Sequence, residues 1–257
     1  MKNSFELSFD KAFGSREGLF VYEDVDSTNT RAKLFAATDR EKKPTVFVAK
    51  RQSLGRGRLG RSFLSEDGGL YLSYLSYPDL VPSEAIMLTV YAAVCVCETV
   101  EELTGASPLI KWVNDVYLNG KKLSGILTEG AFSPDGKSFE YSVTGIGVNL
   151  LKRDFPPELS DIATDLETET GVCVDIAAFA KRLCDKLSQF SKSDRTYIEK
   201  YRKRCFHLGS EITVITANGS YTAVAQRILD NGSLAVITPD GEEHILVTGE
   251  VSLKVKK

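Results

Sequence analysis

The sequence predicts an α+β fold: a large N-terminal domain whose mixed or mainly antiparallel sheet carries helices on one face, then a small all-β domain. Three observations lead there. Residues 83–103, SEAIMLTVYAAVCVCETVEEL, are apolar through their middle and contain neither Gly nor Pro, as a buried helix backing a sheet requires. Short β-rich runs lie around it, TVFVA at 45–49, GLYLSYLSY at 69–77 and FEYSVTGIGVNL at 139–150, of which the second alternates apolar and polar residues like a half-buried strand. After residue 208 the texture becomes alternating throughout, punctuated by Asn218-Gly219, Asn231-Gly232 and Asp240-Gly241. Those hairpin signals predict a small barrel or curled sheet. The division falls at 1–208 and 209–257.

Taken in order, LFVY at 19–22 reads as a strand and EDVDSTNTRAKLFAA as its exit into a helix, with Asp26, Ser27 and Thr28 all good capping residues. Ser27, Thr28 and Asn29 therefore lie where a strand ends and a helix begins, placed either to cap or to meet a ligand. Ser83 caps the long apolar helix and Glu84 sits in its first turn. LIKWVNDVYLNGKKLSGILTEG then holds two strand-like runs around Asn119-Gly120, a strong hairpin signal. Lys111 and Asp115 are embedded there among apolar residues, where unpaired charge is costly, so each is expected to be paired or to face a ligand. Gly145 and Gly147 interrupt the strand before Asn149, as glycines do where a ligand or another backbone comes close. Two helical stretches follow between 174 and 204, the first capped by Asp175.

The composition, 42% hydrophobic and 26% charged over 257 residues, is that of a globular protein. A net charge of −3 argues against a chain whose main task is gripping duplex nucleic acid. Cys95, Cys97, Cys173, Cys184 and Cys205 show no CxxC spacing and read as small buried hydrophobes in a reducing compartment. His207 and His244 belong to no ligand motif. No signal peptide is read at the N-terminus, and no stretch approaches the ~18 uninterrupted apolar residues of a membrane span. A cytoplasmic protein is expected.

Residues 52–63, QSLGRGRLGRSF, carry the chemistry: Arg56, Arg58 and Arg61 alternate with Gly55, Gly57 and Gly60. Glycine lets the backbone approach a ligand, and arginine offers a permanent charge with a planar fork of donors. The loop reads as an anion clamp that orders around its ligand. A solvated basic turn and a nucleic-acid patch are the alternatives.

GRGRLGR at 55–61, KWVND at 111–115, KKLSGIL at 121–127 and GIGVNL at 145–150 together resemble the biotin–protein ligases, as do DSTN at 26–29 and GEVSLKV at 249–255. The resemblance runs from about Val21 to the end, in the family's order. It implies a class II synthetase-like catalytic domain and an SH3-like barrel. It also implies a two-step reaction: biotin and ATP give biotinoyl-5′-AMP and pyrophosphate, then a lysine of a carboxylase's biotin-carrier domain takes the biotin. Mg²⁺ is expected on the phosphates, with Asp115 nearby and no metal site built from protein alone.

By the resemblance, Ser27, Thr28, Asn29 and Gln52 hold the biotin head group, and Arg56, Gly57 and Arg58 fold over biotin and the adenylate phosphate. Lys122 reaches the biotin carboxylate and the phosphate, beside Gly125. Hairpin parity leaves Lys121 and Lys122 undecided; the motif selects Lys122. Lys111 lies near the α-phosphate, Asn114 and Asp115 arrange ATP and metal, and Arg61, Phe63 and Asn149 lie on the nucleotide side. Lys122, Arg58 and Lys111 form the catalytic set. Two positions depart from the family: Phe63 replaces a tryptophan that stacks near adenine, and Val113 replaces a proline, loosening the backbone before Asn114. With the DST motif beginning at residue 26, no operator-binding domain is expected. The family's acceptor docks edge-to-edge on the sheet, an edge that can also pair two ligases, so a homodimer is open. A lipoate or octanoyl transferase is the rival within the superfamily, and a non-enzymatic nucleic-acid binder the rival outside it.

Overall fold

A computed structural model describes residues 2–15, 17–216 and 219–253. It opens with helix α1 (Ser4–Phe13), which the sequence reading did not assign. Asn3 Oδ1 accepts from Glu6 N (2.8 Å) and the Glu6 carboxylate from Asn3 N (3.1 Å), a reciprocal cap that satisfies two otherwise orphaned amides. Phe5, Phe9 and Phe13 pack together at i, i+4 spacing with ring centroids 5.0 and 5.9 Å apart, and Phe9 is fully buried.

The first sheet contains β1 (Leu19–Val25), followed by α2 (Thr28–Ala36), then β2 (Thr45–Gln52) and β3 (Gly69–Ser76). After α3 (Ile86–Thr104) come β4 (Leu109–Lys111), β5 (Asp115–Leu118), β6 (Lys121–Phe132) and β7 (Phe139–Asn149). The strand order is β1-β2-β3-β7-β6-β5-β4, parallel between β1 and β2 and antiparallel elsewhere. This is the mixed, mainly antiparallel sheet that the sequence predicts, but helices cover both faces rather than one, α2 on one side and α3 on the other, because apolar residues of both parities need cover. Helix α3 begins at Ile86 rather than at Ser83, because Pro82–Glu84 winds into a 3₁₀ turn in which the Glu84 carboxylate accepts Val81 N–H (3.2 Å). Proline tolerates this tight entry because it has no N–H to leave unpaired. Ser27 stands at the α2 N-cap without a capping side-chain bond.

Two short helices, α4 (Pro157–Ser160) and α5 (Leu166–Thr170), lead to α6 (Ile176–Leu187) and α7 (Thr196–Arg204). Asp175 Oδ1 caps α6 through Ala178 N (2.7 Å), as its position in the sequence suggested. Residues 82–104 are long and apolar enough to cross a bilayer, yet 67% of that window is buried, with α3 packed against the sheet, α6 and α7. Burial pushes the Cys95 thiol up to about 12. Cys97, Cys184 and Cys205 are buried free thiols too, whereas Cys173 is exposed, contrary to expectation; it lies in the short loop just before α6.

The second sheet is antiparallel and SH3-like: β8 (Glu211–Thr216), β9 (Gly219–Ile228), β10 (Leu234–Ile237), β11 (Glu243–Leu246) and β12 (Glu250–Leu253), in the order β11-β10-β9-β8-β12. Gly232 and Gly241 take φ of +88° and +89° in the expected hairpins; Asn218 of the third hairpin lies outside the described residues, as do the last two positions of GEVSLKV. The two sheets share one hydrophobic core that includes Val90, Tyr201, Ala225 and Leu234. Trp112 Nε1 donates to Gly232 O (3.0 Å) and Arg202 Nε to Ile228 O (2.8 Å) across the junction.

His207 is buried at this junction, with no hydrogen-bond partner for either ring nitrogen among the described residues. Burial, assisted by the charge of Lys111, lowers its pKa from 6.5 to about 4. Between those values the unfolded chain takes up a proton that the folded chain refuses. Stability is therefore complete above about pH 6.5 and declines as pH falls towards 4, by about 3 kcal/mol in all. His207→Leu is expected to remove that slope from urea-unfolding free energies measured between about pH 4 and 7. An unchanged slope in the variant would assign the effect elsewhere.

Candidate active site

Strand alternation divides the sheet's faces. Phe47, Leu75 and Val143 pack with Ala32 of α2, while Val46, Val48, Leu72 and Ile146 join the core on the α3 side. Tyr71, Ser73, Gly145 and Gly147 share the parity of Leu75 and Val143 and so lie on the α2 face. There the sheet is left open as a cleft of about 900 Å³, counting the space open to solvent.

One end of the cleft is a network of amides and hydroxyls closed by one ion pair. Gln52 Oε1 accepts from Thr28 N (2.8 Å) and Thr28 Oγ1 (3.1 Å), and Gln52 Nε2 donates to Ser65 Oγ (3.0 Å). The buried Ser73 hydroxyl lies 2.7 Å from Thr28 Oγ1 and 2.5 Å from Asn29 Oδ1. Asn29 Nδ2 donates to Leu127 O (3.3 Å) and Glu129 Oε2 (2.8 Å), and Lys33 holds the other Glu129 oxygen at 2.7 Å. Burial raises the Glu129 carboxyl, but the bonds from Lys33 and Asn29 outweigh it and leave the group below its usual range. Ser27 lines this end as well. Sequence reasoning missed Ser73 and Glu129; Ser73 was legible only as a polar position in an alternating strand.

Glycine sets the floor. A Cβ on Gly145 would lie 2.2 Å from Asn29 Oδ1, and one on Gly147 would lie 2.6 Å from the Phe63 ring. A Cβ on Gly125 would lie 3.2 Å from the same ring and 3.3 Å from Lys122 Cε. The glycines thus serve side chains that pack over them. Phe63 also meets Tyr71 edge-on, with centroids 6.3 Å apart.

The other end is cationic. The arginine loop is cinched by Gly57 N→Arg61 O (2.7 Å) and turns through Leu59 (φ +55°) and Gly60 (φ +75°). Arg56 donates to Thr30 Oγ1 (2.8 Å). Arg58 reaches Asn114 Oδ1 (3.2 Å) and Thr248 Oγ1 (3.3 Å), which precedes β12, so the second sheet touches the loop. Asn114 is itself fixed by Nδ2→Ile126 O (3.0 Å). Lys122 Nζ pairs with Asp115 Oδ1 at 2.7 Å, and Arg61 and the half-buried Lys111 line the same end. The structure separates the two lysines that hairpin parity left undecided. Asn119 (φ +48°) and Gly120 (φ +83°) make the turn, a bulge between Val116 and Tyr117 shifts the register, and Lys121 points away to Ser160 O (2.8 Å). Among the described residues no cluster of three or more His, Cys, Asp or Glu could hold a metal ion.

The profile of the biotin/lipoate A/B protein ligase family matches residues 21–149, and that of the biotin protein ligase C-terminal domain matches residues 207–254. The chain belongs to the biotin/lipoate A/B protein ligase family. The bifunctional ligase/repressor BirA of Bacillus subtilis is 34% identical over 234 residues, covering 88% of this chain and 71% of that protein. The biotin–[acetyl-CoA-carboxylase] ligase of Mycobacterium tuberculosis is 28% identical over 255 residues, covering 94% of this chain and 92% of that one. Among solved structures, biotin protein ligase from Aquifex aeolicus in complex with biotin and ATP superposes with a TM-score of 0.75 at 32% identity, covering 93% of this chain and 100% of that one.

In this ligase-family chain, Asn149 does not line the cleft. It is buried, its Nδ2 donates to Thr164 O (2.9 Å) and its Oδ1 accepts from Arg153. Val113 follows a cis peptide bond at Trp112–Val113, and Tyr201 Oη donates to its carbonyl (3.0 Å). The backbone before Asn114 is thus held from outside the motif, although proline is missing.

Proposed function

We propose that the protein is a biotin–protein ligase: it converts biotin and ATP to biotinoyl-5′-AMP and pyrophosphate, then transfers the biotinoyl group to a lysine of a carboxylase's biotin-carrier domain. One observation carries the reading. A hydrogen-bonded network of amides and hydroxyls, its Glu129 carboxylate paired with Lys33, and a set of cations share one cleft over a glycine floor. Biotin has the matching polarity, with a neutral ureido ring at one end and a carboxylate at the other.

In the first step a biotin carboxylate oxygen attacks the α-phosphorus and pyrophosphate leaves. Two anions must be held together for this, and preorganised cations meeting the developing charge lower the barrier. Lys122 and Lys111 take that role beside the α-phosphate, and Arg58 covers the phosphate with Arg56 and Gly57. Thr28, Asn29 and Gln52, with Ser27, hold the head group, while Arg61, Phe63 and Asn114 serve the nucleotide and Asn149 braces the end of β7 from behind the cleft lining. In the second step the acceptor lysine's amine attacks the acyl carbon of the mixed anhydride, an amide bond forms and AMP departs. Asp115 is a carboxylate at the cationic end of the cleft. It would give a Mg²⁺ arriving with ATP one protein oxygen, the rest coming from phosphate and water, and such an ion neutralises phosphate charge. Residues 1–208 form the ligase domain and 209–257 the C-terminal domain.

Labelled pyrophosphate should exchange into ATP only when biotin and Mg²⁺ are both present. Exchange supported by lipoate instead of biotin would overturn the substrate assignment. Arg58→Gly removes the guanidinium that closes over the adenylate and its tie to Asn114. The reactive anhydride then escapes. Labelling of bystander lysines in an unrelated protein should rise severalfold, by about one order of magnitude, read on a streptavidin blot. Unchanged bystander labelling would remove Arg58 from this role.

A further inference from the structure

Resting on the ligase reading, we infer that Arg153 is a positioning residue for the nucleotide half of the cleft, fixing the Asn149 carboxamide and the Tyr71 hydroxyl with one guanidinium. Neither the motifs nor the proposed reaction gave Arg153 a part.

Arg153 follows β7 by four residues, and its two terminal nitrogens go to different elements. One donates to Asn149 Oδ1, and the other to Tyr71 Oη (3.1 Å). Its plane stacks on Phe155, with the guanidinium carbon 4.7 Å from the ring centroid. The remaining Nε is buried without a hydrogen-bond partner among the described residues, so the side chain keeps this pose although one donor goes unsatisfied, which costs free energy.

A guanidinium only donates. Asn149 must therefore present its oxygen to Arg153, and Thr164 O takes its nitrogen, so the amide cannot flip. Tyr71 is committed in the same way: it donates to Glu66 O (2.6 Å) and accepts from Arg153. Tyr71 in turn stands edge-on to Phe63, whose ring lies over Gly125 and Gly147. Through Tyr71 Arg153 bears on Phe63, the aromatic element assigned to the nucleotide, and through Asn149 it fixes the end of β7, two residues beyond the Gly147 that underlies that ring. Among the described residues Arg153 makes no hydrogen bond to the network around Ser73, which separates the two halves of the cleft.

The test is steady-state pyrophosphate exchange with Arg153→Met, Arg153→Lys, Asn149→Ala and the Arg153→Met/Asn149→Ala pair, each checked for folding by circular dichroism. Arg153→Met should raise the KM for ATP about tenfold, the scale of a lost charge-assisted hydrogen bond, and leave the KM for biotin within about twofold. Lysine keeps the charge but not the fork, so Arg153→Lys should restore less than half of the loss on a logarithmic scale. If Arg153 acts through Asn149, the double variant should be little worse than Asn149→Ala alone. An unchanged KM for ATP in folded Arg153→Met, equal rises in both KM values, or fully additive losses would overturn the inference. A wild-type chain that exchanges no pyrophosphate with biotin would instead overturn the ligase reading beneath it.

Discussion

Replacing Lys122 with alanine should cut biotin-dependent pyrophosphate exchange by about a thousandfold while leaving the fold intact, the scale reported for losing one preorganised charge stabiliser. The side chain lines the cleft beside Asp115 at 2.7 Å. Its loss removes a cation where negative charge builds, and leaves the Asp115 carboxylate facing the incoming phosphate without its partner. The main chain at 122 is independently held, by Lys122 N→Ile162 O (2.8 Å) and Thr164 N→Lys122 O (3.0 Å), so the strand should survive the truncation. Lys121→Ala is the control. Its ammonium sits on Ser160 O outside the cleft, and exchange should stay within about twofold of wild type. Near-normal exchange by Lys122→Ala, or a collapse in Lys121→Ala, would reverse the assignment.

Gly145→Ala should raise the KM for biotin by between about tenfold and a hundredfold, with the KM for ATP little changed. The new methyl would lie 2.2 Å from Asn29 Oδ1. Asn29 cannot retreat cheaply, because Ser73, Leu127 O and Glu129 hold its carboxamide. Either that network breaks or β7 shifts against β3, and both disturb the head-group end first. Titration of biotin and ATP in the exchange assay separates the two KM values; equal effects on both would mean a general loss of packing.

The site was legible where a motif carries its own chemistry. The GRGRLGR loop, Asn114, Asp115 and Lys122 come together in one cleft because the β5–β6 hairpin and the β2–β3 connection meet over the same sheet face. What stayed hidden depended on contacts between distant elements. Ser73 becomes a hub only once β3 lies under the first turn of α2, and the choice of Lys122 over Lys121 turns on a bulge that no local pattern announces. Gly145 and Gly147 were read as marks of a close approach, but the approaching groups proved to be Asn29 and Phe63 of the protein itself. Helix α1 had a readable signature, Asn3 with Glu6 and phenylalanines four apart, that went unused. The α3 start was misjudged because Pro82 tightens the turn ahead of it.

The shared core between the two sheets bears on how such a chain can diverge. Although separate family profiles match its two parts, the C-terminal sheet is no interchangeable module. Gly232 is fitted to Val90 of α3, with a Cβ there only 2.8 Å from Val90 Cγ2, its carbonyl receives Trp112 from inside the KWVND motif, and Thr248 meets Arg58. A barrel transplanted from a relative would have to arrive with its own matching helix surface and loop. Substitutions at 90, 112, 232 and 248 are therefore bound to one another, and a change on one side of the seam selects for its complement on the other.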